Sequence, residues 1–311
     1  MIELDEIKRV LIVGTGTMGQ QIGLQCAMHG YQVMMYDVQA DVLPAAQASV
    51  RRELADVVAA GVLPAEQVDA VLGRMEWTAV AADAARDADL LSESVPEDPA
   101  LKGKVLAQFH ALCPPRTIFT TNSSTLLPSM FAAATQRPSQ FAAFHFHLPA
   151  WVSNVVDIMP HPGTDTAVIG LLEGFARRIG QIPIVLQKES SGYVFNSLLS
   201  ALNTAALSLV VKNVAAPEDV DRAWMGVMKT AIGPFGIQDM IGLDTIWKII
   251  DFWATTLNDA TLRAHADFLK PYLDAGKLGR KTGEGFYTYP RPAFAQPDFL
   301  TGPTAVSQPP A

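Results

Sequence analysis

The stretch RVLIVGTGTMG, residues 9–19, constrains the fold more than any other part of the chain. Its apolar run is typical of a strand buried on both faces of a parallel sheet. Gly14, Gly16 and Gly19 follow in the G-x-G-x-x-G spacing, and a helix over 17–29 is predicted to begin at once. In this context the first glycine permits a tight turn, the second admits a phosphate, and the third lets helix and strand pack closely. The sequence therefore predicts a dinucleotide site at the start of that helix.

An acid ends the second predicted strand, YQVMMYD at 31–37. Asp37 lies 18 residues beyond Gly19, where a carboxylate accepts hydrogen bonds from ribose hydroxyls and repels a 2′-phosphate. No arginine follows it closely, so the pattern favours NAD over NADP. Thr17 and Met18, inside the glycine loop, are predicted to contact the same cofactor. The alternatives are a glycine turn without a ligand and, for Asp37, a helix cap.

Strand and helix patterns alternate along residues 8–190, which predicts an α/β fold of the Rossmann type, with a doubly wound, mostly parallel sheet whose later strands can reverse direction. From 193 to about 272 the apolar spacing is helical throughout. We therefore expect three parts: an NAD-binding domain at 1–189, an all-helical domain for substrate and dimerisation at 190–290, and a Pro-rich tail at 291–311. The tail has no periodicity and is expected to be extended or mobile. Further strands are predicted in ADLLSES (88–94), RTIFTTNSS (116–124), FAAFHF (141–146), NVVDIM (154–159) and IPIVLQ (182–187).

Composition narrows the class of protein. The 311 residues are 49% hydrophobic and 17% charged with a net charge of −8, so charge gives no reason to expect nucleic acid or an anionic membrane as a partner. Cys26 and Cys113 show neither disulfide nor metal-ligand spacing, and no metal is predicted. No apolar run reaches the ~18 residues of a membrane span, and a strand by residue 8 leaves no room for a signal peptide. The expected compartment is the cytoplasm.

Three histidines and one acid crowd the stretch FHFHLPAWVSNVVDIMPHPG, residues 144–163. His145 and His147 are two apart, so in a strand their side chains share one face. Asp157 lies in the next predicted strand and could pair with either, or be a solvent-exposed acid at a strand end. His161, in MPHPG, is predicted to be a turn residue. Spacing alone does not choose between His145 and His147.

Seven motifs stand in order along the chain: GTGTMG (14–19), SVPEDPALK (94–102), TNSSTL (121–126), HFHLP (145–149), GYVFNSLL (192–199), GPFGIQDMIGLD (233–244) and GRKTGEGFYTY (279–289). Over about residues 7–290 the sequence resembles the 3-hydroxyacyl-CoA dehydrogenases. The resemblance implies NAD-dependent oxidation of an L-3-hydroxyacyl-CoA, or the reverse reaction, in fatty acid metabolism by a homodimer.

The same resemblance implies roles for individual residues. His145 takes the place of the catalytic general base and Asp157 that of its acidic partner. His147 is expected to be a strand neighbour without a role, and the alternative is a contact with the substrate. Ser124 and Asn196 match the residues that contact the substrate oxygen. Glu97 and Lys102 match positions near the nicotinamide half of the cofactor, and Asn122 is also predicted to bind the cofactor.

Three departures from the family pattern keep other functions open. Asp157 stands where a glutamate is usual, and Leu148 replaces the asparagine of the turn after the catalytic histidine. The predicted helical hairpin at 40–74 has no lysine, and offers Arg51, Arg52 and Arg74 instead. The first alternative is a dehydrogenase of free 3-hydroxy acids, similar to the gulonate and carnitine dehydrogenases. The second is a non-catalytic NAD-binding protein.

Overall fold

The computed structural model describes residues 2–301. The chain divides into two compact units, Met1–Phe195 and Asn196–Ala311. The first unit contains one eight-stranded sheet. Its strands are β1 Arg9–Val13, β2 Gln32–Tyr36, β3 Met75–Thr78, β4 Leu90–Glu93, β5 Ile118–Thr121, β6 Phe141–Phe146, β7 Val155–Met159 and β8 Ile182–Val185.

The strand order across the sheet is β3-β2-β1-β4-β5-β6-β7-β8. Strands β1 to β6 run parallel, β7 is antiparallel to β6, and β8 is parallel to β7. The order reverses between β1 and β4, which is where an open parallel sheet leaves a crevice at the carboxyl ends of its strands. The predicted doubly wound α/β fold, including the reversal among the later strands, is confirmed.

Alternation along the strands explains why helices cover both faces of the sheet. Val10 and Ile12 of β1 belong to one hydrophobic cluster, and Leu11 and Val13 belong to another. Successive side chains of a strand point to opposite faces, so each cluster lies on its own side of the sheet. The helices of this unit are α1 Thr17–Met28, α2 Leu43–Ala59, α3 Val68–Leu72, α4 Ala81–Ala85, α5 Pro99–Leu112 and α6 Thr166–Arg178.

One strand was absent from the sequence prediction. Strand β3, with the sequence MEWT, pairs only with β2 at the edge of the sheet, and of its four residues only Met75 is buried. An edge strand needs little apolar surface, so its pattern is weak. All of the strands that the sequence predicted are present.

The second unit is helical, as predicted, and among residues 2–301 no helix is both long and apolar enough to cross a membrane. A hydrophobic cluster around Leu207, Phe235 and Leu269 forms its core. The helices are α7 Phe195–Val211, α8 Pro217–Met228, α9 Pro234–Ile241, α10 Leu243–Leu257 and α11 Ala260–Asp274.

Two buried carboxylates organise this unit. Asp221 of α8 accepts hydrogen bonds from the first amides of α9, Phe235 N at 2.8 Å and Gly236 N at 2.9 Å. Asp239 of α9 accepts bonds from Phe286 N at 2.9 Å and Tyr287 N at 2.8 Å. The motifs at 233–244 and 279–289 are thus joined by a carboxylate, and their role in this unit is structural. Burial raises the pKa of each acid to about 6, against the effect of these bonds.

These raised pKa values predict a pH-dependent stability. Because each folded-state pKa lies above the unfolded value of 3.8, the folded chain holds more protons between pH 4 and 6. The stabilisation is complete below the unfolded pKa and is lost as pH rises through about 6. Relative to Asp239→Asn, the wild type should therefore gain unfolding free energy as pH falls from 7 to 5. Urea titrations followed by tryptophan fluorescence measure this difference; a difference independent of pH would contradict the prediction.

The prediction of an extended or mobile tail is wrong for residues 291–301, the part of the tail that the structure describes. Phe299 is buried, and its ring lies 5.0 Å below the guanidinium of Arg222. The Nε of Arg222 also donates to the carbonyl oxygen of Phe299 at 2.8 Å. One aromatic residue therefore anchors this segment to α8, a contact that local periodicity does not reveal. The remainder of the tail, 302–311, lies outside the described residues.

Candidate active site

The glycine loop has the geometry that a bound pyrophosphate requires. Gly14 has a φ of +102°, and a Cβ there would lie 2.7 Å from the carbonyl oxygen of Ser94. A Cβ on Gly19 would overlap the carbonyl oxygen of Gly14, so strand and helix can approach only without side chains. A Cβ on Gly16 would meet no atom within 4 Å, which leaves its backbone open to a ligand. The loop therefore fits a dinucleotide at the start of α1.

Asp37 lies directly after β2, beside this loop. Its Oδ2 accepts hydrogen bonds from the backbone N and the Oγ1 of Thr15, both at 3.0 Å, and its Oδ1 accepts one from Gln39 N at 3.1 Å. These donors hold the carboxylate in place next to the glycines. The position matches that of a ribose-binding acid, and no helix cap is formed by its side chain.

A cavity of about 250 Å³ opens beyond the loop, at the carboxyl ends of the parallel strands. It collects side chains from the three segments that follow β1, β4 and β5, two of them in the helices α1 and α5. Five predicted site residues line it, and the sheet therefore brings together positions more than 100 residues apart in the chain. They are Met18, Glu97, Lys102, Asn122 and Ser124.

A buried ion pair lies at the wall of this cavity. Lys102 and Glu93 are 1% and 0% exposed, and their Nζ and Oε1 atoms are 2.8 Å apart. The ammonium also contacts Glu97 Oε2 at 3.3 Å and donates to the carbonyl oxygen of Val95 at 3.1 Å. Burial raises the pKa of Glu93, although Lys102 and a 2.6 Å bond from Thr121 favour its charged form. Lys102 thus lies in a dense network, with little surface exposed to a cofactor.

Glu97 fixes the loop that carries the predicted substrate-binding serine. Its Oε1 accepts hydrogen bonds from the backbone N atoms of Ser124 and Thr125, both at 3.1 Å, and from the hydroxyl of Ser123. Burial favours the neutral form of Glu97, but these donors and Lys102 outweigh it, so its pKa is lowered. The acid is therefore ionised and holds residues 123–125 in one conformation.

A line of polar atoms leads from the cavity into the sheet. Ser124 Oγ lies 3.2 Å from His145 Nε2, and His145 Nδ1 lies 3.3 Å from Asp157 Oδ2. The register of β6 and β7 sets the second contact, because His145 and Asp157 are directly opposite each other. Asp157 is 1% exposed, which excludes the solvent-exposed strand-end acid. Its pKa is lowered because hydrogen bonds from both histidines outweigh the effect of burial.

The structure adds Tyr193 to the site, a residue that the sequence did not single out. Its ring stacks on His145 with centroids 4.5 Å apart and planes 8° from parallel. Its hydroxyl donates to the carbonyl oxygen of Ser123 at 2.6 Å, and its pKa is raised, chiefly by burial. The Tyr193 ring therefore fixes the plane of the imidazole. The only sequence signal was its place in the motif GYVFNSLL.

His147 lies closer to Asp157 than His145 does. Its Nε2 is 2.9 Å from the same Oδ2 atom, although the sequence treated this histidine as a strand neighbour without a role. His161 forms the predicted turn, where its Nδ1 accepts a bond from Gly163 N at 3.1 Å.

The remaining predicted residues have positions or contacts that do not test their predicted roles. Asn122 Oδ1 accepts a 2.8 Å bond from Phe146 N and so ties the end of β5 to β6. Asn196 lies in the first turn of α7 and belongs to the second unit, so its role stays a prediction. Leu148 is 43% exposed after β6. In the hairpin, Arg74 donates to the carbonyl oxygen of Ala27 at 3.1 Å and is a structural contact.

Comparison with known proteins identifies the family. Residues 9–190 match the NAD binding domain of 3-hydroxyacyl-CoA dehydrogenase, and residues 192–289 match its C-terminal domain. The chain belongs to the 3-hydroxyacyl-CoA dehydrogenase family. It is accordingly an NAD-dependent oxidoreductase, and the predicted family and cofactor are confirmed.

Individual relatives extend over nearly the whole chain. A probable 3-hydroxybutyryl-CoA dehydrogenase of Bacillus subtilis is 30% identical over 284 residues, covering 91% of this chain and 98% of the relative. The structure of (S)-3-hydroxybutyryl-CoA dehydrogenase from Ralstonia eutropha is 30% identical with a TM-score of 0.81, covering 92% and 100%. The structure of a diketoreductase described as acting on dicarbonyl compounds is 40% identical with a TM-score of 0.86, covering 93% and 100%.

Proposed function

We propose that the protein oxidises an L-3-hydroxyacyl-CoA to the 3-oxoacyl-CoA with NAD, or catalyses the reverse reduction. The observation that carries this proposal is the line Ser124–His145–Asp157, with contacts of 3.2 and 3.3 Å, which begins at the cavity beside the glycine loop. A neutral imidazole with a hydroxyl at one nitrogen and a carboxylate at the other is suited to remove a proton near neutral pH.

The proposed mechanism assigns the proton to this chain and the hydride to the cofactor. Bound NAD supplies the hydride acceptor. His145 Nε2 accepts the proton of the substrate hydroxyl, while Asp157 holds the Nδ1–H tautomer and stabilises the imidazolium. Ser124 donates a hydrogen bond to the substrate oxygen as it becomes a carbonyl, and Asn196 is proposed to do the same. In the reverse direction His145 returns the proton.

The proposed NAD contacts follow the loop and the cavity. Gly14, Gly16 and Gly19 with Thr17 and Met18 would hold the pyrophosphate, and Asp37 would accept bonds from the adenine ribose. The nicotinamide half would lie against the cavity. There the residues with a proposed role are Glu97, Lys102 and Asn122.

A second substrate class is favoured by one departure and one relative. Leu148, exposed after β6, makes that turn apolar where the family has an asparagine, and the diketoreductase structure is 40% identical. The second candidate is therefore the same hydride chemistry on a free 3-hydroxy or 3-oxo compound, without coenzyme A. The contacts among His145, Ser124 and Asp157 serve either substrate.

An NADH absorbance assay separates the two candidates. Acetoacetyl-CoA, acetoacetate and acetylacetone are offered in parallel at equal concentration, with NADPH in place of NADH as a cofactor control. Higher kcat/KM with acetoacetyl-CoA supports the first candidate, and higher kcat/KM with a free ketone supports the second. NADH binding without turnover of any carbonyl compound would contradict both.

The proposed assembly is a homodimer formed through the helical unit, with cytoplasmic location. What supports the dimer is a row of exposed apolar side chains on α10, Ile249, Phe252, Trp253 and Leu257, at the spacing of one helix face. Light scattering after size exclusion should give twice the mass of the 33.5 kDa chain, and Phe252→Glu should give the monomer mass. A wild-type monomer would contradict the dimer.

A further inference from the structure

Two imidazoles converge on one carboxylate oxygen in this site. His145 Nδ1 is 3.3 Å and His147 Nε2 is 2.9 Å from Oδ2 of Asp157. His145 faces Asp157 directly across β6 and β7, and His147 reaches it from two residues further along the same face. The closer contact, and therefore the stronger hydrogen bond, belongs to the histidine that the proposed mechanism does not use.

The chemistry of the carboxylate determines which ring atoms carry hydrogen. Asp157 is 1% exposed, and its Oδ1 has no hydrogen-bond partner within residues 2–301. An ionised carboxylate only accepts hydrogen bonds, so both rings must donate: His145 through Nδ1–H and His147 through Nε2–H. Two donors on one oxygen compensate for the bare second oxygen of a buried anion. With its hydrogen on Nδ1, His145 directs a lone pair from Nε2 toward Ser124.

We infer that His147 is a positioning residue of the proposed dehydrogenase reaction: it holds the Asp157 carboxylate through Nε2–H and takes up part of its negative charge, so that His145 releases its proton more readily. The inference rests on the proposed function, because it gives His145 the role of base. The contacts on both rings support it. Phe195 packs edge-on against His147 with centroids 5.3 Å apart, and Tyr193 stacks on His145. Each ring is thus held in the plane that its bond to Asp157 requires.

Among the titratable groups around this cluster, Asp157 is the charged group that contacts both rings. Tyr193 has its pKa raised by burial, then by Asp157, Glu97 and Glu93, so its phenol is neutral at neutral pH. Glu97 and Glu93 share the ammonium of Lys102. A change at position 147 therefore acts on the Asp157–His145 pair first.

The test compares two substitutions through the pH profile of kcat/KM for oxidation of 3-hydroxybutyryl-CoA, or of the free alcohol if the assay above selects it. His147→Phe keeps a ring but removes the donor, so Asp157 stabilises the imidazolium of His145 alone. The acid limb should then move to higher pH by about one unit, with a rate loss of up to about tenfold below its midpoint. At high pH the rate should stay within about threefold of wild type, since the base itself is intact.

His147→Gln restores an N–H donor and should shift the acid limb by less than half as much as His147→Phe does. His29→Gln, which removes an exposed imidazole at the opposite end of α1, is the matched control and should leave the profile unchanged.

Several outcomes overturn the inference. An acid limb that stays in place or moves to lower pH in His147→Phe, or a loss that is equal at every pH, would leave His147 a packing residue only. If His147→Phe does not fold, nitrogen-15 NMR of histidine-labelled wild type decides the same point. The spectrum should contain a ring N–H at Nδ1 of His145 and at Nε2 of His147, and both should shift in Asp157→Asn. A His147 spectrum that Asp157→Asn leaves unchanged overturns the inference, whereas a wild type without turnover but with this spectrum contradicts the proposed function alone.

Discussion

Replacing His145 by glutamine is expected to lower kcat for the oxidation by about 10²–10⁴-fold, the range that a positioned general base contributes. Glutamine can still donate to Asp157 or accept from Ser124, but it cannot take up a proton. KM should change little, because His145 lies behind Ser124 in the line of polar atoms and is not part of the glycine loop. Initial rates of NADH formation with saturating substrate measure the loss.

Cofactor binding is the control for this substitution. NADH fluorescence titration of His145→Gln should give the wild-type Kd within about threefold, since the glycine loop and Asp37 are untouched. The matched variant His29→Gln should keep full kcat. A His145→Gln enzyme that retained kcat within tenfold of wild type would refute the assignment of the base and leave the family membership intact.

Replacing Lys102 by methionine is expected to lower the free energy of unfolding by about 3–5 kcal/mol, because it leaves the carboxylate of Glu93 buried without its cation. Glu93 is 0% exposed, and of its bonds only those from Val95 N and the Thr121 hydroxyl would persist. Methionine has nearly the volume of the lysine stem, so the loss reports the charge and not a cavity. Urea unfolding followed by circular dichroism measures it.

Two further variants isolate the buried charge. Lys104→Met, on the exposed face of the same helix, should change stability by less than about 0.5 kcal/mol. Lys102→Met combined with Glu93→Gln removes both charges and should recover a large part of the loss, since a neutral amide costs less to bury than an unpaired anion. If Lys102→Met were as stable as Lys104→Met, the ion pair would have no structural role.

The amino-acid sequence by itself determined the elements of the fold and the family. Buried strands such as RVLIV need an apolar residue at nearly every position, and the glycine loop needs residues without side chains, so both leave a local pattern. That pattern was enough to predict the alternation of strands and helices, NAD as the cofactor and the two strands that carry His145 and Asp157. It failed where the local signal is weak, at the edge strand β3 and in the segment anchored by Phe299.

Only the tertiary structure determined which side chains of the site contact one another. The strand period places His145 and His147 on one face, but only the register of β6 and β7 and the lengths of the side chains bring both onto one oxygen of Asp157. The stacking of Tyr193, the bracing of residues 123–125 by Glu97 and the burial of Lys102 against Glu93 likewise join residues far apart in the chain. Hydrogen bonds and stacking act over a few ångströms in space. Such contacts between residues far apart in the chain exist only once the sheet has formed, so the order of residues in the sequence does not reveal them.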